Sequence, residues 1–156
     1  MAKSYASTVI NSSPDEVWAR IRDFNGLATW HSGLVAQSEL EDGKAGDQVG
    51  AIRSFTLTDG THIREQLLAH SDLDRSYTYD FQKTPFDVDN YCATIRVTPL
   101  TDGGGSFVEW FTTFDCDRAQ QGHWVDFFAS QIFQGGFDAL KAHFATPHMA
   151  AFQKTM

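Results

Sequence analysis

The chain has 156 residues, 42% of them hydrophobic and 21% charged, the length and composition of one globular domain rather than a disordered segment. Its 20 acidic and 12 basic side chains leave a formal charge of −8, which argues against the basic footprint that nucleic acids and anionic membranes require. Two cysteines, Cys92 and Cys116, are too few for a disulfide scaffold, and no apolar run is long enough to span a membrane, so a cytoplasmic protein is expected.

In chain order, residues 5–10 read as a strand. Ser13-Pro14-Asp15-Glu16 then opens a helix: Ser13 is a good N-cap, Pro14 fits the first helical position, and Glu16 completes a capping box. Val17, Trp18, Ile21 and Phe24 keep helical spacing until Asn25-Gly26, and a second short helix fits 27–31. After Gly33 the signal turns to strands, at 34–40, 49–57, 63–69, 76–81, 91–100 and 107–114. Turns at Asp42-Gly43-Lys44, Asp59-Gly60, 72–74 and 101–105 separate them, with a loop around Pro85. From 123 to 144 there is no proline, and Val125, Phe128, Ile132, Phe133, Phe137, Leu140 and Phe144 form an apolar arc. That predicts a helix of roughly 33 Å, followed by a tail from about residue 146. No repeat or linker divides residues 1–156, which read as a single domain.

This order resembles the START/polyketide cyclase (SRPBCC) superfamily, in its bacterial polyketide cyclase/dehydrase-like branch. The residues that carry the resemblance are Ser13-Pro14-Asp15-Glu16-Val17-Trp18, Thr29-Trp30-His31 and Gly50-Ala51-Ile52-Arg53. Arg64-Glu65-Gln66-Leu67, Asp89-Asn90-Tyr91 and Val108-Glu109-Trp110 continue it. The resemblance implies an α+β helix-grip fold. A seven-stranded curved antiparallel sheet would wrap a long C-terminal helix, with two short helices after the first strand. A cavity would lie between sheet and helix, flanked by Thr58-Asp59-Gly60 and residues 83–87. Where the distantly similar abscisic-acid receptors carry a cavity lysine this chain has Val35, which argues against recognition of that acidic ligand.

Strand alternation suggests which side chains face such a cavity. Ile63, Glu65 and Leu67 share one face, as do Tyr77, Tyr79 and Phe81, then Tyr91, Ala93, Ile95 and Val97. Phe107, Glu109 and Phe111 share another, and apolar neighbours on both sides put Glu65 and Glu109 on the buried side. The resemblance likewise implies Glu65, Tyr91 and Glu109 as cavity residues. From the helix come Phe128, Ile132 and Gly136, and from the second short helix Trp30 and His31. His31 titrates near neutrality and could serve as acid, base or ligand, or simply cap the helix at the surface. The pair Gly135-Gly136 costs about 1 kcal/mol per glycine inside a helix, so sheet or ligand should approach closely there, or the helix should bend.

With 13% aromatic residues, these positions describe an apolar cavity with few polar anchors. Two functions follow. The first is binding of a small hydrophobic or aromatic molecule, with Tyr79, Phe81, Ile63, Leu67, Phe107, Phe111, Phe128, Ile132, Gly136, Trp30 and His31 as contacts. The second is a cofactor-free cyclase, dehydratase, isomerase or lyase using Glu65 or Glu109 as base and Tyr91 as donor. Burial would raise a carboxyl pKa into the useful range. Pairing of Glu65 and Glu109 with Arg53 or Arg96 would instead make them structural. The histidines show no paired metal spacing, and no cofactor motif is present.

Overall fold

The computed structural model describes residues 1–155, with side chains to residue 145. It opens with β1 (Ala2–Ile10), whose alternate residues turn to the interior. In α1 (Pro14–Ile21) the Ser13 hydroxyl accepts the Glu16 N–H at 3.2 Å, Pro14 fills the first turn, and Val17, Trp18 and Ile21 are buried. The chain then makes one 3₁₀ turn at Phe24–Gly26 and a single helical turn, α2 (Leu27–Trp30).

Six strands follow: β2 (Val35–Leu40), β3 (Ile52–Leu57), β4 (His62–Ser71), β5 (Ser76–Lys83), β6 (Asp89–Pro99) and β7 (Ser106–Asp115). All seven strands form one antiparallel sheet in the order β1-β7-β6-β5-β4-β3-β2. The first strand thus closes on the last, and α1 and α2 carry the chain from one sheet edge to the other. A 3₁₀ turn at Arg118–Gln120 leads into α3 (Gln121–Phe127), a π-helical stretch (Phe128–Gln134) and α4 (Gly135–Thr155), which together make the long C-terminal helix. Side chains beyond residue 145, where a tail is expected, lie outside the described residues. The fold is the α+β helix-grip arrangement.

The core fills the space between sheet and helix with rings. Trp110 stacks on Phe133 at 4.8 Å, and Phe114 meets Phe128 at 5.3 Å. Aromatic side chains carry large apolar area and prefer such offset and edge-on contacts.

The structure corrects the β7 facing. Ser106, Val108, Trp110, Thr112 and Phe114 point inward, so Phe107, Glu109 and Phe111 lie on the outer face of the sheet. Both alternating sets contain bulky apolar side chains, so the strand's own pattern does not decide. Its partner β1 does. Buried Ala2, Ser4, Ala6 and Ile10 lie under the helix, and the larger Tyr5 and Val9 face outward opposite Phe111 and Phe107. Tyr5 stacks on Phe111 at 6.1 Å and its hydroxyl donates to Glu109 Oε2 at 2.7 Å. Glu109, Phe107 and Phe111 are therefore not cavity residues.

Candidate functional site

Alternation on the inner strands sets the cavity wall. β3 turns Arg53, Phe55 and Leu57 inward, β4 turns Ile63 and Glu65, and β5 and β6 bring Tyr79 and Tyr91. Trp110 closes the floor from β7, Ile132 faces it from the π-helical stretch, and His31, Leu34 and Val35 come from the chain after α2. Phe81 and Phe86 complete the wall. The cavity volume is about 30 Å³, room for about two water molecules.

At the centre of this wall is a buried ion pair. Arg53 is fully buried and Glu65 only 5% exposed. Arg53 Nε donates to Glu65 Oε1 at 2.8 Å, its Nη2 lies 2.7 Å from the same oxygen, and its Nη1 donates to the Phe24 carbonyl at 2.9 Å. The guanidinium also sits over the rings of Phe24 (3.9 Å) and Tyr79 (4.8 Å), a cation–π seat between two aromatic faces. Burial raises the Glu65 pKa, with Arg53 working against it. Burial alone would lower the Arg53 pKa, but Glu65 and the neighbouring tyrosines raise it, so the guanidinium stays charged.

The phenols stay neutral. Burial lifts Tyr79 well above its ordinary pKa, and Tyr91 and Glu65 add to that. Tyr91 is raised by burial and then by Glu65. Trp110 Nε1 donates to the Tyr79 oxygen at 3.0 Å, and a hydrogen bond from Tyr79 works against the rise at Tyr91. Tyr91 stacks on Phe81 at 4.0 Å and lies 5.0 Å from Phe128. Among the described residues no three His, Cys, Asp or Glu side chains come together as a metal site requires.

The structure brings Ile63, Glu65, Tyr79, Phe81, Tyr91, His31 and Ile132 together on the wall. Leu67, Phe128 and Trp30 are instead buried in the packing behind it. Gly136 also lies off the wall: a methyl there would come 2.8 Å from Trp110 Cζ3, 3.0 Å from His31 Cδ2 and 3.0 Å from Trp30 Cζ3. Close packing, not a ligand, explains that glycine. His31 is 3% exposed rather than a surface cap. Arg53, Phe86 and Trp110 are wall residues that sequence reasoning did not place there. Arg53 shares a parity with Phe55 and Leu57 and could have been found that way. Trp110 was hidden by the β7 ambiguity, and Phe86 lies in a loop without periodicity.

Residues 1–145 match the family described as polyketide cyclase/dehydrase and lipid transport. The chain belongs to this family. Solved structures of similar proteins share its fold. XoxI of Bacillus cereus is 34% identical, with a TM-score of 0.82 over 93% of this chain and 96% of its own. An uncharacterised Bacillus thuringiensis protein is 32% identical, with a TM-score of 0.81 over 92% and 99%. A Thermobifida fusca protein is 25% identical, with a TM-score of 0.83 over 94% and 95%. No protein of curated function matches the chain.

Proposed function

We propose that the protein binds a small uncharged aromatic molecule in this cavity, held by the Tyr91 and Tyr79 hydroxyls and the Glu65 carboxylate. The observation that carries the reading is the Arg53–Glu65 pair. Buried together, the two charges sum to zero, and Arg53 already fills the seat between Phe24 and Tyr79 that an organic cation would take. A ligand bearing a charge of either sign would lose its hydration without a free countercharge. A neutral molecule with one hydroxyl or carbonyl needs only a phenol donor or a carboxylate acceptor.

Proton-transfer catalysis is the second reading. It is supported by the raised Glu65 pKa beside a neutral Tyr91. The contact with Arg53 works against it, because an ion-paired carboxylate is a weaker base.

The test compares 2-naphthol, 2-naphthoate and 1-naphthylmethylammonium by fluorescence titration. The neutral probe should bind, and the two ions should bind at least tenfold more weakly. Tyr91→Phe and Glu65→Gln should each weaken 2-naphthol by about tenfold, the worth of one hydrogen bond at about 1.4 kcal/mol. Equal binding of all three probes, or 2-naphthol affinity untouched by both substitutions, would remove the cavity as the site.

A further inference from the structure

The C-terminal helix is π-helical from Phe128 to Gln134. This form is rare and mostly confined to single turns, so a stretch of this length calls for support from outside the helix. The support is visible where it ends. The Ile132 carbonyl accepts the Gly135 N–H in a short three-residue bond and also lies 2.8 Å from His31 Nε2. A carbonyl can only accept, so Nε2 carries the proton.

The surroundings are built around this imidazole. Its ring stacks on Trp30 at 5.6 Å and meets Trp110 edge-on at 6.2 Å. Of the two glycines that follow the π-helical stretch, Gly136 makes room for it, whereas Gly135 would admit a methyl in ordinary contact. A methyl on Gly135 would lie 3.4 Å from His31 Cε1, and one on Gly136 would lie 3.0 Å from Cδ2. His31 and Ile132 both belong to the cavity wall.

We propose that His31 is a positioning residue for the cavity: its Nε2–H holds the Ile132 carbonyl, keeps Phe128–Gln134 in π-helical register, and so keeps the Ile132 side chain in the wall. A return to α-helical bonding would turn the side chains after the stretch relative to those before it. The last step rests on the binding function proposed above; the clamp on the helix does not.

Nε2 keeps its proton in both the neutral and the charged ring, and the Ile132 carbonyl itself favours the charged form, so a proton on Nδ1 leaves the bond intact and acts only through burial. A second proton would place a buried cation in the field of Arg53 on β3, whose own countercharge, Glu65 on β4, is already engaged. The other elements packed there supply nothing to offset it. β5 and β6 contribute the neutral phenols Tyr79 and Tyr91, β7 and α2 contribute Trp110 and Trp30, and the helix contributes Ile132, Gly135 and Gly136. Asp138, on the same helix, is exposed and accepts from Gln134. Burial, with Arg53 adding to it, lowers the His31 pKa. The folded state therefore binds fewer protons than the unfolded chain just below the ordinary histidine pKa. As the pH falls from about 6.5 toward the lowered value, the closed segment therefore loses ground to openings that bring the ring to water.

The experiment uses two substitutions. His31→Gln keeps an N–H at similar reach and cannot titrate; His31→Phe keeps a ring and loses the donor. Amide protection factors across 132–137 and the dissociation constant of 2-naphthol are measured from pH 7.5 to 5. In the wild type, protection of this segment and affinity should both fall between pH 7.5 and 5, while protection of the sheet amides stays unchanged. His31→Gln should be flat with pH, and His31→Phe should be weakly protected throughout. Matching pH profiles for wild type and His31→Gln, or full protection in His31→Phe, would overturn the proposal. If His31→Phe fails to fold, wild type against His31→Gln still decides. If 2-naphthol binds neither, the binding function falls, and the protection factors alone judge the clamp.

Discussion

Arg53 and Glu65 are a pair whose members depend on each other. Both are buried, so removing the guanidinium leaves a buried carboxylate without its countercharge. Arg53→Met should cost about 3–5 kcal/mol in chemical denaturation, the usual cost of breaking a buried pair by one partner. Arg53→Met combined with Glu65→Leu should recover most of that, because two apolar side chains of similar volume replace the ions. A single and a double variant of equal stability would mean that the charges are not coupled. The inward facing of Glu65 was legible because Ile63 and Leu67 flank it on one parity and polar Arg64 and Gln66 occupy the other. Glu109 carried the same signature between Phe107 and Phe111, yet Val108 and Trp110 offered an equally apolar alternative. The information that separates them lies in Tyr5 and Val9, on a strand some hundred residues away in sequence.

At the scale of one element, the apolar arc announced the C-terminal helix but not its π-helical middle. A π-helical turn takes more residues than an α-helical one, but Phe128–Gln134 is too short to establish a period of its own, so the change of register leaves no periodic trace. Gly135-Gly136 was the legible sign that something unusual happens there, and the structure divides its meaning. At Gly136 the indole of Trp110 and the rings of Trp30 and His31 leave no space for a methyl. Gly136→Ala should therefore destabilise by about 1–3 kcal/mol through overpacking, against a helix-propensity gain of about 1 kcal/mol. At Gly135 the nearest atom would be in ordinary contact, so Gly135→Ala should be neutral or stabilising by up to about 1 kcal/mol. Thermal midpoints of the two variants check this, and a destabilisation of equal size at both sites would contradict it.

For the whole molecule, the succession of hairpins from β2 to β7 could be read from turn residues and alternation, since each contact joins neighbours in sequence. Closure of β1 on β7 could not be read that way. It pairs Ala2 with Phe114 and Ile10 with Ser106, and the family resemblance implied one seven-stranded sheet without this strand order. The size of the cavity was invisible as well, because it depends on how Phe81, Phe86 and Tyr91 pack together, not on which residue types line the wall. That size has a kinetic consequence. A space of about 30 Å³ is too small for an aromatic ring without movement of the wall, and we expect association to draw on a spontaneously opened minority of molecules. The measured affinity is then the intrinsic affinity reduced by the open fraction. In stopped-flow mixing with 2-naphthol, the observed rate should level off at high concentration at the rate of opening. A rate that climbs linearly without a plateau would mean that the door stands open before the ligand arrives.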